Sequence, residues 1–404
     1  MRITARHYRS GEPVDVCING GRIESVVPSD ASLQADGPWV APGLIDVQVN
    51  GFGGAGPEAG DPHGWRTVAS RLTGHGVTAF LPTFCTTSHE AFIAGLRAWR
   101  ELVESDPTLA HQMPGVHVEG PYISDQDGPR GAHPRSHTRD PDLAEIDAFT
   151  RACGDRLAIL TLAPERAGAI DAIAELHHRG VIVAIGHTAA SAEQIDAAVR
   201  AGARLSTHLG NGSHVMLNRH RNYFLDQLAD DRLWASVIPD GHHVPDALFR
   251  VICRAKGLAR LLLTSDSVSL AGEPAGLYHG GRIRITEAGR IELADQPGLL
   301  AGSWISLDVG VGRAVKMAGL TLGEAIDLCT IQPARLLGWP DRGRLEAGAV
   351  ADLILFNWDP DACRMDVTGT ILQGEPFTGE HEPKTQEPPA PAGGWSRSRN
   401  ANLS

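Results

Sequence analysis

The chain has 404 residues, 42% of them hydrophobic, and carries 36 lysines and arginines against 48 aspartates and glutamates, a formal charge of −12. That size supports one large domain with an appendage, or two domains. The acidic balance argues against non-specific nucleic-acid binding, and no apolar run approaches the ~20 residues of a membrane span. Six cysteines are scattered without a CxxC pair, and Met1-Arg2-Ile3-Thr4-Ala5-Arg6 lacks the apolar core of a signal peptide. Both features point to a reduced, cytoplasmic protein rather than a disulfide framework or a cysteine-zinc site.

Taken in order, the chain opens with short β structure. Val14–Ile18 and Arg22–Val27 flank Asn19-Gly20-Gly21, a strong hairpin signal. Strand and helix then alternate. Leu44–Gly51 reads as strand and 63–74 as helix; Val77–Phe84 as strand and Ser88–Val103 as helix. Gly115-Val116-His117-Val118-Glu119-Gly120-Pro121 is a buried strand that delivers one carboxylate at its tip before Gly-Pro stops it. A polar loop, Tyr122–Pro141, leads to helix Asp142–Ala152, strand Leu157–Leu162 and helix Glu165–His178. Val181–His187 is strand, and Ser191 with Gln194 makes a capping box that opens the next helix. Arg204–His208, Leu233–Asp240 and Arg260–Asp266 complete the strands, with helix Pro245–Lys256 between the last two.

Eight strands separated mostly by helices over about 270 residues predict an α/β fold, a (β/α)8 TIM-like barrel. In a doubly wound sheet the strand-end residues would be spread out, whereas a barrel gathers them round one mouth. The Gly-rich segment 268–302 reads as a β insertion, followed by helices over Ser303–Met317 and from Thr321, again with a capping box to Glu324. Gly343–Gly348 and Ala351–Phe356 return to β structure and are expected to join the amino-terminal strands. The predicted organisation is a small β-sandwich domain from residues 1–42 and 340–377, a catalytic barrel over 43–339, and a disordered Pro-rich tail over 378–404.

Four strands end in Glu119, His187, His208 and Asp266. A lone histidine at a strand end is more often a satisfied structural residue than a ligand, but two with a carboxylate suit a divalent ion such as Zn²⁺. Asp266 leaves an apolar strand, Leu261-Leu262-Leu263. Its carboxylate either caps a loop amide or takes a proton from activated water and returns it to a leaving amine.

Several motifs occur in a telling order: Pro42-Gly43-Leu44-Ile45-Asp46, His117-Val118-Glu119-Gly120-Pro121, Gly186-His187-Thr188, Thr207-His208-Leu209, Asp240-Gly241-His242-His243, Thr264-Ser265-Asp266 and Leu300-Ala301-Gly302-Ser303. Together, over about residues 1–373, they resemble the N-acetylglucosamine-6-phosphate deacetylase family of the amidohydrolase superfamily.

The resemblance implies removal of the acetyl group from N-acetylglucosamine 6-phosphate, giving glucosamine 6-phosphate and acetate. One divalent ion, Zn²⁺ first with Fe²⁺, Mn²⁺ or Co²⁺ as alternatives, would sit on Glu119, His187 and His208. Asp266 would act as base and then acid, and His133 would stabilise the tetrahedral oxyanion. Gln48, Asn211, Gly212, Arg219 and His243 would contact the substrate. Many amidohydrolases carry His-x-His on the first strand, but this chain has Gln48-Val49-Asn50; neutral amides are poor ligands, so a single metal is expected. The expected partner is a small amino sugar, with no nucleic acid or membrane, and a homodimer is compatible with the resemblance.

The run Asn218-Arg219-His220-Arg221-Asn222 is unlike the family pattern, so either Arg219 or Arg221 could meet a phosphate, or the run could be a solvated loop. Two alternatives follow: the same machinery acting on a non-phosphorylated N-acyl sugar or related amide, and a non-catalytic metabolite-binding protein on the same fold.

Overall fold

The computed structural model describes residues 1–33, 37–56 and 62–378, so the expected tail lies outside the described residues apart from Thr378. Four strands open the chain: β1 (Arg2–His7), β2 (Pro13–Asn19), β3 (Arg22–Pro28) and β4 (Trp39–Pro42). The β2–β3 pair closes on Asn19 opposite Arg22, with Gly20 and Gly21 at φ 55° and 77°. Two successive positive φ values are what a twisted two-residue hairpin requires, and they explain the Asn-Gly-Gly signature.

Eight parallel strands follow: β5 (Leu44–Val49), β6 (Val77–Cys85), β7 (Val116–Glu119), β8 (Leu157–Leu162), β9 (Ile182–Ile185), β10 (Leu205–Ser206), β11 (Trp234–Val237) and β12 (Leu261–Leu263). They lie in sequence order from β5 to β12. A parallel bridge from Val49 to Ser267, with the Asp266 amide donating to the Gln48 carbonyl at 3.0 Å, joins the last strand to the first. The expected barrel is therefore present. Every residue of β5, β7, β9 and β12 is buried, as befits strands covered by side chains inside and helices outside.

The helices begin where capping chemistry indicates. Ser88, Asp142, Ser191, Asn222 and Thr321 each accept a first-turn amide, and Ser191–Gln194 and Thr321–Glu324 both form reciprocal capping boxes. Helices Pro107–Gln112, Tyr223–Ala229 and Ile331–Leu337 were not expected; each is under two turns, too short for a 3.6-residue apolar period to stand out. The insertion folds as three short antiparallel strands, β13 (Gly276–Tyr278), β14 (Ile283–Ile285) and β15 (Ile291–Leu293).

After the barrel, β16 (Leu353–Asp359), β17 (Arg364–Leu372) and β18 (Glu375–Pro376) return to the amino-terminal strands. Together they make a seven-stranded sheet ordered β18-β17-β16-β4-β1-β2-β3, which contains both ends of the described chain. Helix Leu307–Ala318 carries this sheet against the barrel. A Cβ placed on Gly312 of that helix would lie 2.1 Å from the Cys363 carbonyl oxygen, a backbone atom that cannot rotate away. Gly312→Ala should therefore destabilise the protein by about 1–3 kcal/mol, read as a lower denaturation midpoint. An unchanged midpoint would show that this contact is looser than the geometry indicates.

Candidate active site

Glu119 is the last residue of β7 and is 3% exposed. His187, His208 and Asp266 lie just past the tips of β9, β10 and β12, with φ of 50°, 31° and 49°. Side chains other than glycine seldom take this left-handed conformation, and it concentrates at functional sites. Here it turns three polar side chains off their strands at one end of the barrel.

The Glu119 Oε1 atom lies 3.0 Å from His208 Nε2 and 3.3 Å from His187 Nε2, and the two Nε2 atoms are 3.1 Å apart. An ion with bonds of ~2.0–2.1 Å in tetrahedral array separates its ligand atoms by about 3.3 Å. The donor triangle thus already has the dimensions of a metal face. His187 Nδ1 lies 2.9 Å from the Pro129 carbonyl. A carbonyl can only accept, so Nδ1 carries the ring proton and Nε2 presents a lone pair to the centre. Gln48 Nε2 donates to Glu119 Oε1 at 2.9 Å, while the buried Gln48 Oε1 has no protein partner. Burial would raise the Glu119 carboxyl, but hydrogen bonds and charge from His187 and His208 outweigh it and hold the group well below the usual carboxylate range. An oxygen and two imidazole nitrogens, one already fixed in the ligating tautomer, fit a divalent ion.

His133 stands close by. One ligand atom from each of Glu119, His133 and His187 falls within 4.8 Å of the others, which makes His133 a competing third donor. Its Nε2 is 3.9 Å from Glu119 Oε2, however, well outside the tighter triangle that His208 completes. Burial first, then the charge of His187, push the His133 imidazole down to about 3, so it is neutral near pH 7.

These groups open on a cavity of about 370 Å³ lined by Asn50, Cys85, Asn211, His243, Asp266 and the 298–302 loop, among others. Asn50 Nδ2 donates to Asp266 Oδ1 at 2.7 Å, and the Cys85 thiol donates to Asn50 Oδ1 at 3.0 Å, fixing which end of the amide faces the carboxylate. Burial, then the Glu119 charge, raise the Asp266 carboxyl, as expected of a group that both takes and gives a proton. Burial with the Glu119 and Asp266 charges also holds the Cys85 thiol well above its ordinary range. It is accordingly a neutral donor. His243 also lines the cavity, and its Nδ1 donates to Asp240 Oδ2 at 2.7 Å. Burial would raise the Asp240 carboxyl, but His243 and the amides of His242 and His243 hold it at about 2.

Of the residues expected from sequence, Glu119, His133, His187, His208, Asn211, Gly212, His243 and Asp266 all line this one cavity. Gly212 does so at φ 55°, with its would-be Cβ 2.8 Å from His187 Nδ1, so only glycine lets the loop lie over that imidazole. Gln48 is fully buried and reaches Glu119, not the cavity wall. Arg219 is not among the residues lining the cavity: it sits on the exposed loop that follows Val215, Met216 and Leu217 in the chain, and no arginine or lysine lines the cavity among the described residues. Sequence reasoning missed Cys85, Thr86 and Asp240. The first two lie at the tip of β6 and carry no charge for the strand-end rule to notice, whereas Asp240 closes the expected strand Leu233–Asp240, where that rule would have found it.

The Amidohydrolase family model matches residues 39–377. The chain is 34% identical over 354 residues to the N-acetylgalactosamine-6-phosphate deacetylase of Escherichia coli O157:H7, covering 84% of this chain and 89% of that protein. It is 32% identical over 387 residues to the N-acetylglucosamine-6-phosphate deacetylase of Homo sapiens, covering 89% and 90%. The crystal structure of N-acetyl-D-glucosamine-6-phosphate deacetylase from Mycobacterium smegmatis superimposes with a TM-score of 0.83 at 31% identity, over 93% of this chain and 99% of that one.

Proposed function

The chain belongs to the amidohydrolase family and, within it, to the N-acetylglucosamine-6-phosphate deacetylases, and on that footing we propose that it removes the acetyl group from N-acetylglucosamine 6-phosphate. The observation that carries this is the convergence of Glu119, His187 and His208 within 3.3 Å of one another in the cavity that Asp266 also lines.

One divalent ion on these three residues, zinc first, would supply Lewis acidity toward an amide carbonyl or a water molecule. Fe²⁺, Mn²⁺ and Co²⁺ suit the same donors. A single ion is supported by the first strand, whose Gln48 and Asn50 are occupied in holding Glu119 and Asp266. Asp266 takes a proton from the attacking water as its oxygen bonds to the acetyl carbon. It then gives that proton to the sugar nitrogen as the C–N bond breaks, so that acetate and a free amine leave. Asn50 holds Asp266 Oδ1 and leaves the second carboxylate oxygen for this transfer. His133 donates toward the oxygen that becomes negative in the tetrahedral intermediate. His243 and the polar groups of Asn211 and Gly212, which line the same cavity, bind the sugar and its phosphate.

Arg219 and Arg221 are not part of this lining. The nearly fully exposed Val215 and Met216 beside them, 100% and 89% accessible, support a homodimer that covers the loop. All six cysteines are unpaired, which supports a cytoplasmic location, and among the described residues no helix is long and apolar enough to cross a membrane.

A second substrate is favoured by the relative from E. coli O157:H7, whose name specifies N-acetylgalactosamine 6-phosphate. Acetate release should therefore be compared for both 6-phosphates and both unphosphorylated sugars. We expect N-acetylglucosamine 6-phosphate to give the highest kcat/KM. A higher value for the galacto sugar would reassign the substrate. Equal rates with and without phosphate would leave a general N-acyl sugar hydrolase, and no turnover of any of the four would remove the deacetylase.

A further inference from the structure

Among the described residues, four imidazoles line this cavity; His208 Nδ1 is buried without a hydrogen-bond partner, and the Nδ1 partners of the other three differ. His187 Nδ1 faces a carbonyl and His243 Nδ1 a carboxylate; both partners can only accept, so both rings carry their proton on Nδ1. His133 Nδ1 instead faces a hydroxyl, Thr86 Oγ1, at 2.9 Å. Thr86 is 4% exposed and His133 is 9% exposed, so water does not compete freely for this contact. The Thr86 hydroxyl has one other acceptor within reach, the Glu119 carbonyl at 3.4 Å. A hydroxyl can also accept, but 3.4 Å is longer than the about 2.5–3.0 Å of an O–H···O hydrogen bond, so the carbonyl is a poor taker for the proton and the ring nitrogen at 2.9 Å is the better one.

We propose that Thr86 is a positioning residue: its hydroxyl donates to His133 Nδ1, which places the ring proton on Nε2 and makes His133 a hydrogen-bond donor into the cavity instead of a third imidazole ligand. This rests on the oxyanion role given to His133 above. It also resolves the competition between His133 and His208 for the metal. A nitrogen that carries a proton has no lone pair to offer a cation, so His133 is excluded from the donor triangle and retained for the substrate. The bare Nε2 of His187, set by the Pro129 carbonyl, is the complementary case. The would-be Cβ of Gly120 lies 2.2 Å from Thr86 Oγ1. Glycine at that position is what leaves room for the hydroxyl beside the ring.

The test uses the metal-loaded full chain with ¹⁵N-labelled histidine, the His133 resonances being identified by their loss in His133→Gln. The expected spectrum has a protonated Nε2 and an unprotonated Nδ1 at His133. Thr86→Val, which keeps the shape and removes the hydroxyl, should shift this signature toward Nδ1–H. It should also lower kcat about 10–100-fold, as loss of an orienting partner does, with little change in KM or metal content. Thr86→Ser should keep the wild-type signature and most of the turnover. A wild-type His133 protonated on Nδ1 would overturn the proposal, as would a Thr86→Val enzyme unchanged in signature and kcat. The wild-type spectrum decides the matter even if Thr86→Val fails to fold. Absence of acetate release from wild-type enzyme would count against the deacetylase assignment alone, because the tautomer is read without turnover.

Discussion

Asp266→Asn is expected to lower kcat by about 10³-fold or more while leaving the metal in place. Asparagine keeps the size of the side chain and can still meet the Asn50 amide, now 2.7 Å from the Asp266 carboxylate, but it can neither take a proton from water nor return one to the amine. Both halves of the reaction lose the same group, so the barrier should rise by about 4 kcal/mol. Asp266 contributes none of the three atoms of the triangle formed by Glu119, His187 and His208. Metal content measured on the purified variant should therefore match wild type. An Asp266→Asn enzyme with unchanged turnover would remove this residue from the mechanism, and one that had lost its metal would make Asp266 a ligand.

Glu119→Ala is expected to remove metal and activity together. Glu119 Oε1 is the only anionic atom in the donor triangle, and Gln48 Nε2 and both imidazoles converge on it. Without it, two neutral histidines remain, and their Nε2 atoms, 3.1 Å apart, have no carboxylate to balance a divalent charge. Loss of Lewis acidity is worth several kcal/mol, on the order of 10³-fold in turnover. Chelation of the wild-type enzyme should have the same effect. Added Zn²⁺ should restore wild type and fail to restore Glu119→Ala. Full metal occupancy in that variant would show that other residues hold the ion.

The barrel was legible because its strands are buried on both faces and so appear as short apolar runs, each ending in punctuation. Val116-His117-Val118-Glu119 before Gly120-Pro121 is the clearest of these. The same rule pointed to His187, His208 and Asp266, although it ran their strands to those residues themselves. The ladders stop at Ile185, Ser206 and Leu263 because positive φ turns the chain away. What the sequence could not convey was side-chain destination across the barrel. Gln48 sits where a histidine ligand would, yet nothing local says that its amide reaches Glu119, 71 residues on. Arg219 was expected at the substrate from the family resemblance, but the course of an exposed loop depends on contacts such as His214 with Tyr223, made through a helix too short to foresee. Cys85 and Thr86 carry no charge at neutral pH, so the strand tip they occupy lacked the cost of burying an ion that made Glu119 conspicuous.

The most direct measurement is metal content per chain of the purified protein alongside acetate release from N-acetylglucosamine 6-phosphate before and after chelation. The structure leads us to expect about one divalent ion per chain, as three converging donors and an amide-bearing first strand imply, with acetate release that disappears on chelation and returns with the metal. Two ions per chain, or acetate release undiminished in metal-free protein, would contradict it.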